Sequence, residues 1–102
     1  MLLRIFKVSG HSMMPTLNPN EKVLVSSIPY LFGSPKKGDI IIFKYEKKFL
    51  IKKISKVEGG RYLVEGENKN DSLKVSKLNR KEIVGKVIMK IWQLFFFAVL
   101  ST

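Results

Sequence analysis

Apolar residues come in short runs along this chain, each ended by Gly, Pro, Asn or Asp, and no stretch keeps an apolar stripe at helical spacing. Leu3 to Val8 reads as a strand. Asn18-Pro19-Asn20 is a turn, and Lys22-Val23-Leu24-Val25-Ser26 is a second strand rich in β-branched residues. Ile28 to Pro35 holds two prolines and Gly33 and reads as a loop, with Tyr30-Leu31-Phe32 apolar enough to pack or to touch lipid. Lys36-Lys37-Gly38-Asp39 turns the chain, and the run Ile40-Ile41-Ile42-Phe43 within Asp39 to Tyr45 predicts a strand buried on both faces. Glu46-Lys47-Lys48 is hairpin-like, Phe49 to Val57 is the return strand, Gly59-Gly60 turns again, and Tyr62-Leu63-Val64 is a further strand. Gly66 to Ser72 reads as an ordered polar loop, Leu73 to Arg80 is weakly patterned, and Ile83 to Met89 is the last strand. The pattern predicts an all-β protein, a coiled sheet or partly open barrel, with a single core domain over residues 1–90 and a short apolar tail over 91–102.

Composition narrows the chemistry. At 102 residues the chain is one domain. It has no cysteine, which excludes disulfides, thiol catalysis and cysteine-ligated zinc, and its one histidine, His11, cannot build a multi-histidine metal site. No cofactor and no metal are expected. The formal charge is +11, carried mostly by lysine, with only Arg4, Arg61 and Arg80 as arginines. Base and phosphate readers favour arginine, so no specific nucleic-acid partner is expected; the charge fits an anionic membrane surface as partner or a lysine-rich surface with no specific meaning. Arg4 and Lys7 interrupt the N-terminal apolar residues, so no signal peptide is expected. The tail from Ile91 to Leu100 is about half the roughly 18 apolar residues that a span needs, so it reads as peripheral contact with a membrane surface or, alternatively, as a helix or strand of the core. The location expected is peripheral at a membrane or cytoplasmic.

One stretch offers a nucleophile: Gly10-His11-Ser12-Met13-Met14-Pro15-Thr16-Leu17. Gly10 permits a sharp turn, Pro15 fixes its own φ and drives Met14 towards an extended conformation, and the two methionines supply soft apolar contacts. Ser12 is thereby expected on a stiff, exposed corner. Such a hydroxyl is a nucleophile if a base reaches it; without one it is an ordinary turn. Taken as strand-like, the stretch points the His11 side chain away from that of Ser12, so the base must come from elsewhere. A lysine held in an apolar setting loses its proton more readily and becomes a usable base. Phe49-Leu50-Ile51-Lys52-Lys53-Ile54 offers two: Lys52 shares a face with Leu50 and Ile54, and Lys53 with Ile51. Both also fit solvated lysines protecting a sheet edge.

These segments together resemble the type I signal peptidase family, which works with a Ser/Lys dyad. The resemblance covers residues 5–88, with the boxes in the family's order. Gly10 to Leu17 is similar to the nucleophile box, and Lys37-Gly38-Asp39-Ile40-Ile41-Ile42-Phe43 to the buried-strand box. Ile51-Lys52-Lys53-Ile54 is similar to the box supplying the general base, which places that base at Lys52. Gly66-Glu67-Asn68-Lys69-Asn70-Asp71-Ser72 resembles the family's Gly-Asp-Asn box, whose serine bonds the catalytic lysine and falls here on Ser72.

The chain departs from the family at three places. The Gly-Asp-Asn box normally runs on into Asp-Ser-Arg, where this chain has Leu73-Lys74-Val75-Ser76. Some members carry a hydroxyl two residues before the nucleophile; Gly10 stands there, so backbone N–H groups led by that of Ser12 must hold the oxyanion, with Gly10 and Met13 shaping that region. The membrane anchor usual before the nucleophile is not found ahead of Ser12, and the expectation is a minimal core, similar also to the short proteases that mature nickel superoxide dismutase.

The resemblance implies a serine endopeptidase that removes a signal or leader peptide. Ser12 is the nucleophile, Lys52 the base and Ser72 the group orienting Lys52, and the substrate is a preprotein with small residues before the cut. Two other classes remain. A self-cleaving repressor sensor domain shares the dyad but cuts itself at an Ala-Gly bond upstream of its serine, and this chain has no alanine before Ala98. A basic binding domain without catalysis predicts salt-sensitive binding to nucleic acid or membrane that is indifferent to Ser12.

Overall fold

In the computed structural model of the chain, residues 2–68 and 77–91 are described. They form seven strands: β1 (Arg4–Lys7), β2 (Lys22–Ser26), β3 (Ile40–Tyr45), β4 (Lys48–Glu58), β5 (Arg61–Glu65), β6 (Lys77–Asn79) and β7 (Ile83–Lys90). All join one open antiparallel sheet in the order β1-β2-β7-β3-β4-β5-β6. The all-β single domain expected from the pattern is what forms.

Two tight hairpins build its centre. Tyr45 pairs with Lys48 across Glu46 and Lys47, both at positive φ, and Glu58 pairs with Arg61 across Gly59 and Gly60, also at positive φ. Two central residues of that hand match the twist of the strands they join. Bulges between Leu24 and Val25, Ile42 and Phe43, and Ile54 and Lys56 tighten that twist. The sheet coils far enough for Phe6 of β1 to meet Phe49 of β4 edge-to-face, centroids 5.5 Å apart.

β3 divides the core. Ile41 and Phe43 enter one cluster with Tyr30, Ile54, Tyr62, Val64, Leu78 and Ile83, while Ile42 enters another with Val8, Met13, Leu17, Val23 and Val25. Alternate residues facing opposite sides is the rule of the pleat, and with apolar groups on both sides a continuous Ile-Ile-Ile-Phe run results.

Two expectations need correcting. The loop expected from Ile28 to Pro35 contains a one-turn helix, α1 (Pro29–Phe32), whose Pro29 stands at its first turn, where the missing N–H costs nothing. Tyr30 is buried, and its hydroxyl donates to Asp39 Oδ2 at 2.7 Å. Burial, and then the Asp39 carboxylate, push that phenol far above its ordinary pKa. Within the weakly patterned stretch, β6 pairs with β5, and a 3-10 turn over Arg80–Glu82 follows, closed by Asn79 N–H donating to Glu82 Oε1 at 2.9 Å. Ser72 and the tail beyond Ile91 lie outside the described residues. Among the described residues no helix is long and apolar enough to cross a membrane.

Candidate active site

The Ser12 corner follows β1 and is a compact turn, not the strand-like stretch expected from the sequence. Met14 N–H donates to His11 O at 3.1 Å, and Leu17 N–H to Met13 O at 2.8 Å. The alternation used to direct His11 away from Ser12 therefore has no strand to act on. Gly10 opens the turn at φ +81°, a left-handed conformation that side chains disfavour. Met13 and Leu17 are buried in the second cluster and pin the turn to the core, so Met13 serves as an anchor. Ser12 itself is half-buried.

Lys52 comes from the middle of β4, opposite Ile41 of β3. Its side chain is on the face shared with Leu50 and Ile54, and the residue is only 3% exposed. Lys53, one position on, takes the other face: its side chain is 43% exposed and its Nζ lies 3.1 Å from Glu67 Oε1. The two adjacent lysines, indistinguishable in the sequence apart from the family resemblance, are thus separated by burial.

Gly66 joins the two candidate groups. A Cβ on Gly66 would sit 2.6 Å from Ser12 O, 3.1 Å from Ser12 Cβ and 3.3 Å from Lys52 Nζ. The serine side chain and the lysine amine therefore converge on one point, and the convergence depends on the missing side chain at position 66. Asn68 continues the contact: its backbone N–H donates to Ser12 O at 2.8 Å, and its Nδ2 donates to His11 O at 2.9 Å. Glu67 adds a third link, accepting from Thr16 Oγ1 and from Lys53 Nζ. The Thr16 bond, followed by the Lys53 charge and hydrogen bond, outweighs partial burial and lowers the Glu67 carboxyl below its ordinary pKa. The sequence marked Gly66-Glu67-Asn68 as the start of a polar loop and, by resemblance, of the Gly-Asp-Asn box, with the functional role placed on Ser72. That these three residues clasp the Ser12 corner is visible only when the sheet is assembled.

A cleft of about 710 Å³ opens beside the corner. Its walls are Phe6 to Met13 on one side and Lys48 to Lys52 on the other, with Ile42 at the floor. The β4 wall is a strand edge, and the other wall is one at Phe6 and Lys7 before it passes into the turn. Among the described residues β1 pairs only with β2, and the Lys48–Lys52 half of β4 pairs with β3 alone, because β5 first meets β4 at Lys53. Among the described residues no group of His, Cys, Asp or Glu is placed to hold a metal ion.

The family model described as "Signal peptidase, peptidase S26" matches residues 1–59. Signal peptidase IB of Staphylococcus aureus is 33% identical over 78 residues, covering 76% of this chain and 39% of that protein. Signal peptidase I of Leptolyngbya laminosa is 44% identical over 36 residues, 35% of this chain and 18% of that protein. The chain thus spans about two fifths or less of the length of these relatives.

Proposed function

The chain belongs to the signal peptidase S26 family, and on that premise we propose that it is a serine endopeptidase in which Ser12 is the nucleophile and Lys52 the general base. The observation that carries this reading is the meeting of Ser12 Cβ and Lys52 Nζ around Gly66. Burial of Lys52 supports it, since removing an ammonium from water favours the neutral amine.

In this reading the neutral Lys52 amine takes the Ser12 Oγ proton as Oγ attacks the peptide carbonyl. The oxyanion rests on backbone N–H groups, led by that of Ser12, because Gly10 brings no hydroxyl. The Lys52 ammonium returns the proton to the departing amine, leaving an ester on Ser12. Water then attacks the ester, with Lys52 again taking the proton, and free Ser12 is restored. Ser72 orients Lys52. The substrate is an extended segment of a signal or leader peptide with small residues before the cut, lying between the unpaired edges of β1 and β4 by backbone hydrogen bonds.

The test is cleavage of a short peptide carrying Ala-x-Ala before the scissile bond. Ser12→Ala should keep its melting temperature and lose cleavage by at least about a thousandfold, as removal of an activated nucleophile does. A Ser12→Ala rate within a few-fold of wild type overturns the reading.

A further inference from the structure

We propose that Arg4 determines specificity: at the outer end of the cleft it reads the charge of a substrate side chain three or four residues from the bond cut, and favours an acidic one. The inference rests on the peptidase reading above and adds to it a substrate feature.

Phe6 and Phe49 meet across the cleft from opposite walls, and Arg4 lies over both. Its guanidinium carbon is 4.6 Å from the Phe6 centroid and 5.6 Å from that of Phe49. Arg4 and Phe6 are two positions apart on β1 and therefore share a face. A stacked guanidinium is fixed in direction yet keeps the N–H groups of its edge for a carboxylate. Arg4 is exposed, so that edge is open to an incoming chain.

Position along the cleft fixes which substrate residue it meets. Phe49 precedes Lys52 by three residues on β4, about 10 Å at a strand rise of about 3.3 Å per residue. A substrate strand laid along that edge with its scissile carbonyl at Ser12 brings its third or fourth residue to the Arg4–Phe6–Phe49 cluster. The charged groups around the cleft favour the same sign: among the described residues that line it, Lys7 and Lys48, besides the buried Lys52, are basic and Glu46 alone is acidic. A lysine or arginine arriving there meets like charge, and a glutamate or aspartate meets a preset donor.

The test uses a set of Ala-x-Ala peptides identical except for Glu, Gln or Lys at the fourth residue before the scissile bond, or at the third or fourth residue after it. Each is compared by kcat/KM in wild type, Arg4→Gln and Arg4→Glu. The ratio of Glu to Lys peptide within one variant is the readout, so any change in overall rate cancels. At one of these positions wild type should favour Glu by about fivefold, the scale of an exposed ion pair. Arg4→Gln should bring the ratio near one and Arg4→Glu should invert it, and the preference should shrink as salt rises from about 50 mM to about 500 mM. Cleavage of the Gln peptides with no charge preference at any position, or with a preference that Arg4→Glu leaves unchanged, overturns the inference and leaves the peptidase reading standing. No Ser12-dependent cleavage of any peptide overturns both.

Discussion

Glu67 ties the corner to the sheet with one oxygen on Thr16 and the other on Lys53. Both bonds need the carboxylate, and both hold its pKa down. A lowered folded pKa means that the group stabilises the fold above its unfolded value of about 4.3, and that this contribution is lost as pH falls through the folded value. Wild type should therefore melt above Glu67→Gln at pH 6 to 7, with the gap closing as pH drops below about 4. A gap that stays constant to pH 3 would show that the carboxylate charge is not what holds the corner. Single residues also mark where the sequence stopped being readable. Gly-His-Ser-Met-Met-Pro-Thr-Leu announced a constrained serine, but Glu67 and Asn68 were legible only as members of the Gly-Asp-Asn box, with no role of their own. Their partners, Thr16, Ser12 and His11, are remote in sequence and share no local pattern with them.

At the level of elements, Gly66 ends the β5 segment where it passes the corner. The atom nearest to any side chain added there is a backbone oxygen, Ser12 O at 2.6 Å, so a flexible side chain cannot simply swing clear. Gly66→Ala should cost about 2 kcal/mol, on the order of 10 °C in melting temperature, and should reduce cleavage more than a surface substitution of equal cost. Thermal melting with parallel peptide assays checks this, and a variant that matches wild type in both would mean that the corner has room to retreat. Most of the strands were legible from their apolar runs and the turn residues between them. β3 stood out because both of its faces are covered. α1 and β6 did not, for they are four and three residues long, too short for either periodicity to register. The proposed base was half-legible: the apolar setting of β4 offered Lys52 and Lys53, the family resemblance favoured Lys52, and the packing of β4 shows that Lys52 is the buried one.

Across the whole molecule, the positive charge of +11 accompanies apolar side chains that point outward. Leu31 and Phe32 of α1 are 69% and 88% exposed, with exposed Lys36 and Lys37 following and Arg80 donating to Tyr30 O. Lysines near an anionic bilayer contribute about 1 kcal/mol each. Sedimentation with vesicles containing phosphatidylglycerol should pull down the wild type and, in smaller amount, Leu31→Asp with Phe32→Asp, and high salt should release both; equal binding by the double variant would remove α1 from the contact. The larger consequence of the coil is that it carries the Ser12 corner, beyond the sheet's edge strand, to the side of Gly66 and the middle of β4. That the buried lysine is the base is the claim on which the mechanism turns. It is tested most directly by kcat/KM on one Ala-x-Ala peptide for wild type, Lys52→Arg and Lys53→Arg. Arginine keeps the charge and cannot give up its proton. Lys52→Arg should be inactive while Lys53→Arg, still able to pair with Glu67, stays within about threefold of wild type, as an exposed ion-pair change allows; an active Lys52→Arg would contradict the account.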